Sequence, residues 1–479
     1  QACVSDASPD SCGSSCTPCP AAPSGGTRTC SAGQCGFTCN PGYLKSGGAC
    51  VKCDTIAACG ASCAACAAPA NGTAVCTNGD ACGIACDTGY RPTGSTCTRC
   101  DTIDACGAAC AACTPPVDGT AACSGGAQCS YTCMGPLRCG PNTCCRVGGF
   151  EVAEAHVCAW SASGAVRCWG DNALNQCGTN RSVASEPRPA APVGVTGVAT
   201  QVGTGRDFSC AVIAGGLKCW GYDDEVRPSL TPTNVSNVVQ VAVGIAHACF
   251  RMTNGQVRCW GWNLDGQLGN SVPGNSLEAA VDVVGLTQVT QLAAGQDFTC
   301  ALTQVGSVHC WGRRPASGAT VRTPEQMIPS GATQLSAGPN NACALMTNGS
   351  VKCWGTALSG NFGSAGLSLY LATDIPAFGT GNLGVSIVAT ATCVVTAGRG
   401  VRCMGSGLYG ALGNGSTMDQ MTPLDAVGLQ GVVALEGGGN TLCALTQSGD
   451  LKCWGENYDG QLGRSTPGNT NASPGDVLP

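Results

Sequence analysis

Cys443-Ala-Leu-Thr-Gln-Ser-Gly-Asp-Leu-Lys-Cys-Trp-Gly455 is one statement of a phrase that this chain makes seven times. The copies open and close at Cys158/Cys168, Cys210/Cys219, Cys249/Cys259, Cys300/Cys310, Cys343/Cys353, Cys393/Cys403 and Cys443/Cys453. Six end in Cys-Trp-Gly, and the sixth copy puts Met404 in place of Trp. Second cysteines follow one another at 51, 40, 51, 43, 50 and 50 residues. A period near fifty (about 50) built from short strands and Gly-rich turns is the signature of a β-propeller.

Each copy turns at its centre, on Ser163-Gly164, Gly215-Gly216, Asn254-Gly255, Val305-Gly306, Asn348-Gly349, Ala397-Gly398 or Ser448-Gly449. Glycine there supplies the positive φ that hairpins need. Equal steps back from the turn set the two cysteines opposite each other on antiparallel neighbours, where a disulfide can form. The expected pairs are Cys158–Cys168, Cys210–Cys219, Cys249–Cys259, Cys300–Cys310, Cys343–Cys353, Cys393–Cys403 and Cys443–Cys453. Closing a loop of about ten residues contributes roughly 2.5–3 kcal/mol in the chain-entropy account. The following Trp points to the other face of the strand, which predicts packing between blades.

Most copies continue into an Asn/Asp and a Gly-Gln-Leu-Gly element, as in Asn263-Leu-Asp-Gly-Gln-Leu-Gly269, Asn457-Tyr-Asp-Gly-Gln-Leu-Gly463 and Tyr409-Gly-Ala-Leu-Gly413. With the preceding Gly-x-x-His-x-Cys-Ala-Leu pattern, residues 150–479 resemble the propeller repeat of the regulator of chromosome condensation family. The resemblance implies seven blades, matching the copy number. The tail Ser473-Pro-Gly-Asp-Val-Leu-Pro479 looks like the first strand of a further repeat, and is expected to return and complete the blade begun at Phe150–Cys168.

Residues 1–145 carry 26 of the 41 cysteines, in a second repeat of period 47. Cys53, Cys59, Cys63, Cys66, Cys76, Cys82 and Cys86 recur as Cys100, Cys106, Cys110, Cys113, Cys123, Cys129 and Cys133; the first copy runs Cys3, Cys12, Cys16, Cys19, Cys30, Cys35, Cys39. So little apolar surface must be held by disulfides. Cys39–Cys50 and Cys86–Cys97 each enclose Cys-x-x-Gly-Tyr, which is similar to the closing loop of epidermal-growth-factor-like and receptor cysteine-rich modules. The expected architecture is all-β: a disulfide-rich, loop-rich stalk of three tandem modules (1–52, 53–99, 100–145) before a seven-bladed propeller (146–479). Parity leaves Cys139, Cys144, Cys145 and Cys177 as candidates for a junction disulfide pair. It also leaves one odd cysteine in the first module, with Cys3 the candidate for a free or intermolecular thiol.

So many thiols belong in an oxidising compartment, and a start at Gln1 without Met or apolar leader reads as a mature secreted chain. The longest apolar runs, Val238–Phe250 and Val385–Thr396, are too short to span a bilayer. A net charge of −6 argues against a nucleic-acid surface. Cys-x-x-Cys occurs at Cys16/Cys19, Cys50/Cys53, Cys63/Cys66, Cys97/Cys100 and Cys110/Cys113; recurring among many other cysteines, these read as structural. Of the three histidines, His156 and His247 stand where other copies have Phe208, Phe298, Asn341, Ala391 or Thr441, which marks a packing position. No nucleophile elbow, phosphate loop or zinc-protease motif is present. Asp223-Asp224-Glu225 lacks the ligand spacing of a calcium loop.

The expectation is therefore a non-enzymatic extracellular structural or adhesive protein, a propeller head on a stalk, assembling through head-to-tail contacts into a surface filament. It needs no cofactor or metal. Its partner is a protein or a second copy, not a nucleic acid, a membrane interior or a small molecule. A second reading is a monomeric secreted recognition module, receptor-like or inhibitory, binding through propeller loops. The resemblance alone would imply nucleotide exchange on a small GTPase in the nucleus, which disulfide-stapled blades contradict. Specificity is expected in the divergent loops Arg313–Arg322 and Gly360–Thr380.

Overall fold

The computed structural model describes residues 7–14, 17–77, 81–113, 119–124, 128–133, 137–140, 143–179, 183–222, 231–232, 235–357, 359–464, 467–468 and 470–478. The chain divides into two compact units, Gln1–Pro115 with Thr120–Thr132, and Pro116–Gly119 with Cys133–Pro479.

The first unit is a series of two-stranded hairpins, such as Gly26–Ser31 with Gln34–Cys39 and Gly72–Thr77 with Ala81–Cys86. Its buried apolar side chains are nearly all cysteines, among them Cys12, Cys19, Cys53, Cys59, Cys100, Cys106 and Cys113. Cystine replaces a hydrophobic core that such short strands cannot build. In the second module the pairs are Cys53–Cys63, Cys59–Cys76, Cys66–Cys82 and Cys86–Cys97. The third repeats this with Cys100–Cys110, Cys106–Cys123 and Cys113–Cys129. The first has Cys12–Cys30, Cys19–Cys35 and Cys39–Cys50. Where both members of a Cys-x-x-Cys pair are described as bonded, they never bond each other. Two cystines stack in each module, which brings the sulfurs of Cys12, Cys19 and Cys35, and their repeats, within 4.8 Å.

The second unit is a seven-bladed propeller. Each blade is an antiparallel sheet of consecutive strands: four in six blades, and three described strands in blade 2. Inner strands run from Val147–Val152 in blade 1 to Val432–Gly438 in blade 7. Side chains alternate across each strand, so both sheet faces are apolar and must be covered by a neighbour. The consequence is seven apolar clusters of buried residues, one at each blade-to-blade seam.

Two expectations fail here. The C-terminal strand Asn471–Asp476 pairs with Leu451–Gly455 as the outer strand of blade 7, not with blade 1. Blade 1 is complete without it, because Val147–Val152 and Ser185–Ala190 supply its inner and outer strands. The ring closes through side chains: Val477 joins the cluster of Phe150, Val157 and Trp169 at the seam of blades 7 and 1. The sixth turn also differs. Its left-handed residue is Arg399 (φ 58°), not Gly398.

Candidate functional site

The repeated phrase resolves into three devices. In every blade the two cysteines face each other directly and are bonded, with Cα–Cα separations of 4.0–4.1 Å. The cystine face looks toward the next blade, where Cys249 Sγ lies 3.5 Å from Thr299 Oγ1. The tryptophan occupies the opposite face. Its indole N–H donates to a carbonyl of the preceding blade: Trp169 to Gln461, Trp220 to Gln176, Trp311 to Gln267 and Trp454 to Ala411, at 2.8–2.9 Å.

Those carbonyls come from the Gly-Gln-Leu-Gly loop, which the asparagine shapes. Asn263 Oδ1 accepts the Leu268 N–H at 2.9 Å, and Asn457 Oδ1 accepts that of Leu462 at 3.0 Å. The leucine is thereby driven into the seam, and Leu268, Leu412 and Leu462 are fully buried. In blade 1 the same place is taken by Cys177, whose N–H is held by Asn172 Oδ1 at 3.0 Å. Cys177 is a free, buried thiol, which corrects its reading as a junction cysteine. Burial, reinforced by Glu186 and Asp171, pushes the thiol well above its ordinary range. With Cys177 unpaired an even number of cysteines remains, so parity no longer singles out Cys3. Cys3 lies outside the described residues, as do the side chains of Cys139, Cys144 and Cys145, and the Asp223-Asp224-Glu225 cluster.

His156 and His247 are buried cross-blade struts. His156 Nε2 meets Ser209 Oγ at 2.8 Å, and His247 Nε2 meets Thr299 Oγ1 at 2.9 Å. Burial pushes them down to about 3 and about 4, so both are neutral.

Around the central channel a belt of glutamines went unnoticed in the sequence, although it recurs at a constant distance before the first cysteine. Gln201 accepts the Val241 N–H at 2.9 Å and donates to the Val241 carbonyl at 3.2 Å. Gln240 grips Leu292, and Gln291 grips Leu335, in the same two-handed way. Each amide acts as a peptide group between neighbouring inner strands. Two residues further along lies a ring facing the first cysteines: Glu151, Gly203, Ala242, Ala293, Ser336, Ser386 and Glu436. The two carboxyls belong to adjacent blades, 1 and 7, and line one polar cavity of about 100 Å³. Burial pushes Glu436 up to about 7. Glu151 is likewise raised well above its ordinary range, by burial and then by Glu436, against a hydrogen bond from Gln201.

The loops after the third strands of blades 6 and 7 present a different surface. Leu408 (51% exposed), Met418 (70%) and Tyr458 (53%) stand out of it. Tyr409 and Tyr458 meet edge to face with centroids 5.8 Å apart. Of the loops expected to carry specificity, Gly360–Thr380 contributes the outer strand Leu367–Asp374, with Tyr370 and Leu371 exposed. Arg313–Arg322 is a short hairpin closed by an Arg314–Glu325 ion pair. It replaces the Gly-Gln-Leu-Gly loop in blade 4, and the Trp354 indole N–H consequently has no acceptor among the described residues.

Comparison with known proteins agrees with this geometry. Residues 238–267, 289–314, 332–363 and 432–461 match the regulator of chromosome condensation (RCC1) repeat. The chain is 28% identical over 305 residues to the ultraviolet-B receptor UVR8 of Arabidopsis thaliana, covering 55% of this chain and 66% of that one. It is 25% identical over 342 residues to the human E3 ubiquitin-protein ligase HERC2, covering 65% of this chain but 7% of that protein. The chain thus spans just under two thirds of the first relative and a small part of the second. Among solved structures, human WBSCR16 superimposes with a TM-score of 0.55 at 20% identity, over 61% of this chain and 84% of that one. Prp20p of Saccharomyces cerevisiae superimposes with 0.54 at 20%, over 64% and 86%. The second unit is a seven-bladed propeller, four stretches of which match the RCC1 repeat.

Proposed function

We propose that this is a non-enzymatic extracellular recognition protein whose propeller binds another protein through the exposed loops of blades 6 and 7. The observation that carries the reading is the cluster of Leu408, Tyr409, Met418 and Tyr458. Aromatic and methionine side chains held proud of a rigid scaffold are the composition of protein-binding hot spots. Blade-internal disulfides make the scaffold rigid and suit an oxidising, extracellular setting. The histidines support a non-catalytic propeller, because each is spent on a structural contact. Yeast RCC1 (Prp20), whose structure shares this fold, has been solved with Kap60 bound.

Adhesive assembly follows if the partner is a second copy, and heterotypic recognition if it is not. Light scattering behind size exclusion, with negative-stain microscopy, separates these for the native protein and for Tyr458→Asp. Concentration-dependent assembly abolished by the substitution supports adhesion through this face. A monomer throughout supports the heterotypic form. Assembly that Tyr458→Asp leaves intact refutes this face as the interface.

A further inference from the structure

The glutamine belt is incomplete, and the gap is a second candidate site. Gln201, Gln240, Gln291 and Gln334 occupy one register in blades 2 to 5, facing Val212, Arg251, Leu302 and Leu345. In blades 6, 7 and 1 that register holds Gly384, Ala434 and Gly149. Where the belt lapses, beside Gly384 and Ala434, the channel end widens into a cavity of about 520 Å³. Its lining sets the aliphatic side chains of Leu345, Leu383, Val395 and Val433 beside the polar Thr333, Gln334 and Arg399, and no acidic residue lines it.

Two unused donors face this space. Gln334 accepts the Val385 N–H through Oε1 at 3.0 Å, and unlike its three counterparts donates its amide N–H groups to no acceptor among the described residues. Among the described residues Arg399 makes a single side-chain hydrogen bond, from Nη1 to the Val432 carbonyl at 3.3 Å, and no ion pair. Its backbone is the second, independent sign. Arg399 has φ 58°, whereas Gly164, Gly255, Gly306, Gly349 and Gly449 hold the equivalent turn position at φ 75–89°. A left-handed conformation is costly for a residue with a β-carbon, and such strain persists where a site needs the side chain.

We propose that this cavity binds a carboxylate on an aliphatic body, the carboxylate taken by Arg399 and the Gln334 amide, the body by the aliphatic walls. An unpaired guanidinium offers the donor geometry a carboxylate matches. The volume lies within the usual range for small-ligand sites. The same chemistry is offered by a free short acid or by the C-terminal aliphatic residue of a polypeptide. The site lies at the end of the channel formed by the second-to-third-strand hairpins, opposite the face of Leu408 and Tyr458, and does not depend on the recognition proposed for that face.

Calorimetric titration of the full chain with 4-methylpentanoate, with acetyl-Ala-Ala-Leu and with the same peptide as its amide tests it. Saturable binding of an acid, with the amide weaker by about tenfold or more, is expected. The tighter of the two acids identifies the source. Arg399→Gly and Ala434→Gln should each weaken binding by about tenfold or more, the first by removing the cation and the second by completing the belt. Arg399→Gly should also raise the melting temperature, since it relieves the left-handed strain; loss of binding then cannot be ascribed to misfolding. Three results overturn the proposal: no saturable binding of either acid up to about 10 mM, equal binding of the amide, or binding that Arg399→Gly leaves unchanged.

Discussion

Replacing Glu436 with Gln should stabilise the propeller above neutral pH and leave it unchanged in acid. Glu436 and Glu151, on the adjacent blades 7 and 1, face one polar cavity in the central channel, and no other charged side chain lines it. Burial holds the folded Glu436 carboxyl near 7, against an ordinary value of 4.5. The folded state therefore keeps a proton that the unfolded chain has lost. Stability is fully present below pH about 4.5 and falls as the pH rises through about 7. At about 1.4 kcal/mol for each tenfold change, the loss is about 3 kcal/mol for a sealed site. The cavity has room for several waters, which solvate the charge and reduce this to about 2 kcal/mol. Glu436→Gln removes the titration and also withdraws the charge that raises Glu151. Calorimetric melting of both proteins from pH 4.5 to 8 should show coincident Tm values at the acid end. At pH 8 the variant should melt about 4 °C higher. An offset independent of pH, or a variant less stable at pH 8, would refute the reasoning.

Other consequences follow from the seams. A β-carbon at Gly463 (φ +67°) would lie 2.7 Å from Val477 Cγ1 and 3.0 Å from Trp169 Nε1. Gly463→Ala should thus cost about 2 kcal/mol, read from thermal unfolding, with Trp169 losing its grip on the Gln461 carbonyl. Cys177→Leu restores the residue that blades 3, 6 and 7 use, and should change stability by less than about 1 kcal/mol. In the unmodified protein Cys177 should resist maleimide until denatured, as mass spectrometry of the labelled peptide would show. Under native conditions a phosphine reductant should open Cys19–Cys35 and Cys66–Cys82 first, because Cys35 and Cys82 are exposed while blade cystines are buried. Differential alkylation that found the blade cystines reduced first would contradict this order.

The blade phrase was legible because its partners are near in sequence. Blade cystines close over separations of 9 or 10 residues, so turn position and strand alternation suffice to place them. The leucine plug and its asparagine were visible as a motif but not as a device, since the surface they fill belongs to the next blade. The glutamines of the inner strands recur in four blades at a constant distance before the first cysteine, yet a lone polar residue in an apolar strand carries no indication of its partner. Arg399 was hidden by a neighbour: Gly398 offered an obvious turn residue, and only the backbone shows the left-handed place passing one residue on.

By itself the sequence determined the number of blades, the position of every blade staple and the face taken by the tryptophan that follows it, all consequences of local period and alternation. Tertiary structure alone decided how the ring closes. Trp169 reaches the carbonyl of Gln461 across 292 residues, Glu151 meets Glu436 at that same seam, and the belt lapses on three consecutive blades. Such contacts arise only when the last blade is packed against the first. A repeat encodes what each blade is, and closure of the circle sets which blades must answer one another.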